Sequence, residues 1–107
     1  MNLEIKGVHC EVDDATRNYI DKKMPRLDFA KDYMVDFLLT FVKEKSLYTL
    51  EATINLRWGN AVHVSVDDFD LFHGIDILYD KIETKLSKEK EKIKEHHKKE
   101  AARAKEE

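Results

Sequence analysis

The clearest pattern along the chain is an alternation of apolar and polar positions over residues 48–57. A period of two sends successive side chains to opposite faces, so this stretch predicts a strand with one face in the core. Residues 58–60, which include Gly59, predict a hairpin turn. The alternation then resumes in a further strand, whose inward positions are Val62, Val64 and Val66.

Two more stretches predict strands earlier in the chain. Residues 2–6 alternate polar and apolar side chains, which is typical of a short strand. Residues 34–42 are almost continuously apolar and rich in β-branched and aromatic side chains. That composition predicts a strand covered on both faces.

A first helix is predicted between these two strands. Asp13 or Asp14 can cap it by accepting hydrogen bonds from free backbone N–H groups. Pro25 has no N–H group to donate, so the helix ends or kinks there. The apolar positions near helical spacing are Ala15, Tyr19, Ile20, Met24 and Leu27.

The period changes to 3.6 from Leu71 onward, which predicts a second helix reaching about residue 97. One apolar stripe runs along this helix, with Leu71 and Leu78 at its edge. The stripe comprises Phe72, Ile75, Tyr79, Ile82, Leu86 and Ile93.

The element order is therefore β-α-β-β-β-α. This order favours an α+β fold, in which a four-stranded, mainly antiparallel sheet carries two helices packed on one face. We expect one α/β domain over residues 1–97 and a charged tail over residues 98–107.

Composition agrees with one small folded domain, since 42% of the 107 residues are hydrophobic. Cys10 is the single cysteine and cannot form an intrachain disulfide, which favours a reducing compartment. The first residues lack a basic start followed by an apolar run, and no apolar run approaches the ~20 residues of a membrane helix. We therefore expect a cytoplasmic protein with no membrane partner.

The charges are distributed unevenly along the chain, whose formal net charge is −3. Residues 1–70 carry 9 basic and 13 acidic side chains, whereas residues 81–99 carry 8 lysines and 4 glutamates. Because salt screens charges beyond about 10 Å, a local basic surface on an acidic protein can still bind phosphate.

The lysines of the second helix fall on one side of it. At about 100° per residue they span about 60°, centred roughly 120° from the apolar stripe. They are Lys81, Lys85, Lys88, Lys92 and Lys99. Charge alone leaves two interpretations open, a solvated face or a surface for a phosphate backbone. The first helix would extend such a surface with Arg17, Lys22, Lys23 and Arg26.

Residues 66–76, VDDFDLFHGID, contain four acids and a histidine where the strand period gives way to the helix period. Carboxylates at that point cap the helix and face the positive end of its dipole. A calcium loop does not fit, because Phe72 stands where a ligand is needed. A different metal site and an acidic contact with a partner remain as alternatives. Gly74, inside the first helical turns, predicts a close packing neighbour.

No combination of residues matches a known catalytic or metal motif. The five histidines lack the i, i+4 spacing that presents two ligands on one helix face, and Cys10 has no C-x-x-C partner. P-loop, nucleophile-elbow and dinucleotide fingerprints are also missing from the sequence. We therefore expect no metal, no cofactor, no small-molecule substrate and no enzymatic activity.

Residues 51–94 resemble the characteristic segment of the ribosome hibernation-promoting factor family, also called ribosome-associated inhibitor A or sigma-54 modulation protein. An alternating EATI-type strand, a glycine turn, an acidic helix start at residues 70–76 and the run at residues 80–88 follow in the family's order. MNLEIKG and VDDATRNYIDKKMPRL resemble the family's first strand and helix. The resemblance covers about residues 1–95 and is to a short form of the family.

The resemblance implies a fold like that of double-stranded-RNA-binding domains. It implies a translation inhibitor and hibernation factor of the stress response and stationary phase, whose partners are the 30S ribosomal subunit and its 16S rRNA. Family members bind where messenger and transfer RNAs would sit and stabilise inactive ribosomes. Matched by position to basic family residues facing rRNA are Arg17, Lys23, Arg26, Lys81, Lys85 and Lys88. The helical spacing of basic residues adds Lys22 and Lys92 to this expected rRNA-binding set.

Two rival functions remain open from the residues. A small enzyme would use His63, His73 and the aspartates around them, although no nucleophile–base spacing supports it. A protein–protein adaptor would use the tail and the exposed sheet face, with lysines that only solubilise. That sheet face would comprise Thr49, Glu51, Thr53, Asn55 and Arg57.

Overall fold

A computed structural model describes residues 2–57 and 59–106, with side chains over residues 2–57 and 59–92. Its order of elements confirms the predicted β-α-β-β-β-α arrangement. The elements are β1 Asn2–Val8, α1 Asp14–Lys23, a 3₁₀ helix Met24–Tyr33, β2 Met34–Glu44, β3 Leu47–Leu56, β4 Ala61–Asp68 and α2 Leu71–Glu106.

The four strands form one mixed sheet in the order β1-β2-β3-β4. β1 pairs with β2 in parallel, whereas β2 with β3 and β3 with β4 pair antiparallel, which confirms the predicted fold class. The parallel pair needs a crossover connection, and α1 with the 3₁₀ helix supplies it. One row of the inner face runs from Ile5 through Leu39 and Ala52 to Val64.

The core lies between one face of this sheet and the helices. α2 contributes the largest helical share, and its buried side chains follow the 3.6-residue period. Each such side chain contributes about 1.5–3 kcal/mol when fully removed from water. They are Ile75, Leu78, Tyr79, Ile82 and Leu86.

The strand β2 is buried on one face only, so the prediction that it is covered on both faces was wrong. Phe37, Leu39 and Phe41 are buried, but Leu38 and Thr40 between them are half-buried. Both helices pack on the same side of the sheet, which leaves the opposite side of β2 in contact with water.

The start of α1 follows the predicted capping. The Oδ1 atom of Asp13 accepts hydrogen bonds from the backbone N–H of Thr16 at 2.9 Å and from its hydroxyl at 2.7 Å. These bonds hold the pKa of Asp13 below its usual value. Thr16 is buried and Ala15 is exposed, so the predicted inner position of Ala15 was wrong. Pro25 stands in the first turn of the 3₁₀ helix, at the predicted break.

The start of α2 is also capped as predicted. The Oδ1 atom of Asp70 accepts hydrogen bonds from the backbone N–H groups of Phe72 at 3.1 Å and His73 at 3.3 Å. Gly74 has the predicted close neighbour, because a Cβ atom there would lie 2.9 Å from Cδ1 of Leu50. In the hairpin turn, Gly59 has a φ of 91°, which only glycine adopts freely.

Two positions of the α2 stripe differ from the prediction. Leu78 is fully buried instead of lying at the edge, and Phe72 is 40% exposed instead of buried. Phe72 points toward α1, where its ring packs edge-on against Tyr19 with centroids 5.0 Å apart. Trp58 and the Ile93 side chain lie outside the described residues.

The predicted domain boundary between residues 97 and 98 stays a prediction. The backbone of α2 continues through it to Glu106, and the side chains on either side lie outside the described part of the chain. Within the part that the structure describes, no helix is long and apolar enough to cross a membrane.

Candidate nucleic-acid interface

Three lysines of α2 line a groove beside the edge strand β4. The buried stripe of α2 fixes its rotation against the sheet, and that rotation sends Lys81, Lys85 and Lys88 to the flank next to β4. The groove has a volume of about 480 Å³ and its opposite wall includes His63 and Ser65. Three lysine side chains therefore line the same open groove.

Lys85 is tied directly to the strand across the groove. Its Nζ atom donates a 2.6 Å hydrogen bond to the backbone carbonyl oxygen of His63. β4 is an edge strand, and a lysine placed on such an edge opposes pairing with a foreign strand. An ammonium group has three N–H donors, so Lys85 keeps two for a ligand while it holds the strand.

The other lysines of this flank are exposed. Within the described part of the chain, no ion pair forms at Lys81 or Lys88, and the acid that lines the groove is Asp80. Lys92 lies one turn beyond, with its Nζ atom 3.5 Å from Oε1 of Glu89. The Lys92 side chain is 73% exposed, so this pair contributes little.

The opposite flank of α2 faces the 3₁₀ helix and is acidic. The Nε atom of Arg26 donates a hydrogen bond to Oε2 of Glu83 at 3.0 Å, and its Nη2 atom donates to the same oxygen at 2.6 Å. The Nη2 atom also donates to Oδ1 of Asp80. These two carboxylates, Asp80 first, raise the pKa of Arg26. The arginine therefore joins the 3₁₀ helix to α2.

Lys23 takes part in a second contact between the helices. Its Nζ atom lies 2.8 Å from Oδ1 of Asp76, and the hydroxyl of Tyr19 donates to the same oxygen at 2.6 Å. The salt bridge from Lys23, followed by the Tyr19 hydrogen bond, lowers the pKa of Asp76. The same hydrogen bond raises the pKa of Tyr19.

The predicted site residues are thus divided by α2 instead of forming one cluster. On the α1 flank, Lys23 and Arg26 are held by carboxylates. On the β4 flank, the lysines at 81, 85 and 88 line the groove. Arg17 and Lys22 are exposed on α1, and none of the described side chains forms an ion pair with either.

Sequence reasoning missed the β4 wall of the groove. His63 and Ser65 stand at outward positions of an alternating strand, which was the only signal for them. The groove exists because α2 packs against β4, and no local pattern of residues specifies that contact.

The open face of the sheet is polar and partly internally bonded. The hydroxyl of Thr49 donates to Oδ1 of Asp67 at 2.8 Å, and the Thr53 hydroxyl lies 3.1 Å from Nδ1 of His63. The use of this open sheet face for protein–protein adaptor contacts stays a prediction. Nowhere in the described residues do three His, Cys, Asp or Glu side chains come together as metal ligands would.

Comparisons with known proteins agree with this architecture. The chain is 31% identical over 96 residues to the ribosome hibernation promoting factor of Escherichia coli K12, covering 90% of this chain and all of that protein. The Azotobacter vinelandii protein of the same name is 33% identical over 92 residues, covering 86% of this chain and 85% of that protein.

Two solved structures share the fold. A ribosomal subunit interface protein from Coxiella burnetii gives a TM-score of 0.78 at 26% identity, covering 84% of this chain and 98% of that one. The Thermus thermophilus Protein Y N-terminal domain gives a TM-score of 0.72 at 30% identity, and the match covers 82% of this chain and 98% of that one. The profile of the sigma 54 modulation protein / S30EA ribosomal protein family matches residues 3–94. This chain therefore belongs to the sigma 54 modulation protein / S30EA ribosomal protein family.

Proposed function

We propose that this protein is a ribosome-associated hibernation factor, which binds the 30S subunit at the tRNA and mRNA sites and stabilises inactive ribosomes in the cytoplasm. Its relatives carry the name ribosome hibernation promoting factor. The structural observation that carries the proposal is the groove beside β4, which is lined by Lys81, Lys85 and Lys88.

The chemistry of this groove suits an RNA backbone. Phosphates bound by lysines release condensed counterions, which drives association without any reading of base sequence. The ammonium groups at Lys81 and Lys88 are free of ion pairs with described residues, so binding requires no internal salt bridge to break. The overall charge of −3 does not prevent this, because screening confines the field to the local surface.

The cations on the α1 side divide between two roles in this proposal. Arg17 and Lys22 are exposed and extend the rRNA contact, as Lys92 does on α2. Lys23 and Arg26 hold α1 and the 3₁₀ helix against α2 through their carboxylate partners. Lys23 and Arg26 therefore support rRNA binding mainly by keeping the helices in place, and less by contacting the RNA directly.

Inhibition then needs occupancy alone and no catalysis. A domain bound across the tRNA and mRNA sites excludes those ligands sterically, so the proposal requires mutual exclusion on 30S particles. We expect added tRNA and a short mRNA to displace the labelled protein from 30S subunits, with 50S subunits as the matched control. Stable particles that carry protein, tRNA and mRNA together would contradict the proposed site.

A further inference from the structure

An exposed aromatic pair marks a second groove at the end of the sheet where both α-helices begin. Phe69 is 74% exposed and Phe72 is 40% exposed. Neither ring belongs to the group of side chains packed against the core. The groove has a volume of about 780 Å³, and Glu11 and Tyr48 also line it. Phe69 and Phe72 together place two exposed aromatic rings on the lining of one groove, and exposed apolar surface that is grouped in this way marks interaction sites.

The charge of this groove is opposite to that of the lysine groove. Carboxylates line it at Glu11, Asp13 and Asp70, against one lysine, Lys43, and the imidazole of His9. The Nζ atom of Lys43 lies over the ring of Tyr48, 5.3 Å from its centroid. The lining is therefore net negative, and a phosphate backbone would be repelled.

The two helix N-termini at this end do not reverse that sign. Each helix dipole places roughly half a positive charge at its N-terminus. Asp13 caps α1 and Asp70 caps α2, and each carboxylate brings a full negative charge. The exposed carboxylate of Glu11 adds another. A ligand that complements this surface is therefore a cation with an apolar part.

We propose that this groove docks a basic protein segment, which places an apolar side chain against Phe69 and Phe72 and its arginines or lysines beside the carboxylates. A guanidinium group can also stack on an exposed phenylalanine ring through a cation–π contact. Aromatic residues, phenylalanine included, are enriched in the cores of protein interfaces, and arginine is among the residues that dominate binding energy there. The proposal adds a protein-binding surface to the RNA-binding groove and stands independently of it.

The test uses the full chain and a set of short fluorescent peptides, each with one phenylalanine or leucine flanked by arginines at varied spacing. Fluorescence anisotropy measures their binding to the native protein and to Phe69→Ser, Glu11→Lys and Val35→Ser. Val35 is 43% exposed and lies outside the groove, so Val35→Ser is the matched control for loss of an exposed apolar group.

We expect saturable binding of at least one peptide, weakened at least about tenfold by Phe69→Ser, which corresponds to 1.4 kcal/mol. Glu11→Lys should weaken it as well, Val35→Ser should leave it unchanged, and peptides with glutamate in place of arginine should not bind. Equal affinity for the native protein and Phe69→Ser would overturn the proposal, as would no saturable binding. Binding of a uridine oligonucleotide that depends on Phe69, or self-association lost in Phe69→Ser, would also overturn it, in favour of RNA or a second copy.

Discussion

The guanidinium of Arg26 holds the carboxylate of Glu83 through two of its nitrogens, at 3.0 and 2.6 Å. The two residues lie 57 positions apart in the sequence, on the 3₁₀ helix and α2. A basic residue that the family resemblance implies as an rRNA contact is therefore engaged within the fold.

Replacing Arg26 should affect stability more than binding. We expect Arg26→Ala to lower the free energy of unfolding by about 1 kcal/mol, because the charge-assisted pair is lost but is partly exposed and screened. Urea denaturation measures this loss. The affinity for 30S subunits should fall less than in Lys81→Ala, compared at equal folded fraction. An Arg26→Ala protein of native stability that no longer binds 30S would show that Arg26 is a direct contact.

Gly74 should tolerate a methyl group only if Leu50 recedes. The Cβ atom of an alanine at 74 would lie 2.9 Å from Cδ1 of Leu50 and 3.1 Å from Cβ of Asp68. Overpacking of this kind costs about 1–3 kcal/mol, against about 1 kcal/mol gained in helix propensity. We expect Gly74→Ala to destabilise the native protein by about 1 kcal/mol.

The control for this prediction is a double-mutant cycle with Leu50→Val, which removes the clashing Cδ atoms. In that background Gly74→Ala should become neutral or stabilising, so the two changes should show a favourable coupling of about 1 kcal/mol or more. If the two changes in unfolding free energy measured by urea denaturation were simply additive, the contact with Leu50 would not be what makes an alanine at position 74 unfavourable.

His73 should stabilise the start of α2 in a limited pH range. Its Nδ1 atom lies 2.5 Å from Oδ2 of Asp68, and this contact raises the pKa of His73 above the ordinary 6.5. The pKa of Asp68 is lowered below 3.8, first by the backbone N–H of Asp70 and then by His73. Because the pKa of His73 is raised, the stability that the pair contributes is lost as the pH rises above 6.5 through the folded pKa of His73. Because the pKa of Asp68 is lowered, the same stability is also lost as the pH falls below 3.8 through the folded pKa of Asp68.

Thermal unfolding of the native protein and His73→Ala should therefore differ most between the two ordinary pKa values, 3.8 and 6.5. The difference should shrink as the pH rises above neutrality, because the neutral imidazole no longer forms an ion pair with the carboxylate. It should also shrink in an Asp68→Asn background, which retains an oxygen for the Asp70 N–H but removes the charge. A difference that is constant with pH would argue against the pair.

The lysine groove should determine how steeply ribosome binding depends on salt. Each phosphate neutralised adds about 0.7–0.9 to the slope of log K against log salt concentration. Lys81→Ala and Lys88→Ala should each lower that slope by about this amount, whereas Phe69→Ser should leave it unchanged. Slopes identical to the native value in both lysine variants would show that these ammonium groups bind no phosphate.

Strong local periodicity explains why most of the fold was predictable. The alternation around Leu50 and Ile54 and the helical stripe around Ile82 each specify a buried face without knowledge of the partner element. Phe72 is not buried with the rest of the α2 stripe, because its ring packs against Tyr19 of α1 at the edge of the core. Pairing between α1 and α2 is long-range, so helical spacing could not reveal it.

The candidate site was less predictable than the fold for the same reason. A helical wheel places Lys81, Lys85 and Lys88 on one side of α2, but it cannot show that β4 forms the opposite wall. It also cannot distinguish them from Lys23 and Arg26, which have the same charge but meet carboxylates of α2. Only packing separates exposed cations from those that hold the helices together.

Charge reversal in the groove tests the proposed ribosome contact most directly. The variant carries Lys81→Glu, Lys85→Glu and Lys88→Glu, and the matched control reverses three exposed lysines elsewhere, at positions 6, 31 and 45. Both variants have the same net charge, and circular dichroism confirms their folding. Co-sedimentation with 30S subunits should be lost in the groove variant and retained in the control. Retention in a folded groove variant, or equal loss in both, would contradict binding through this groove.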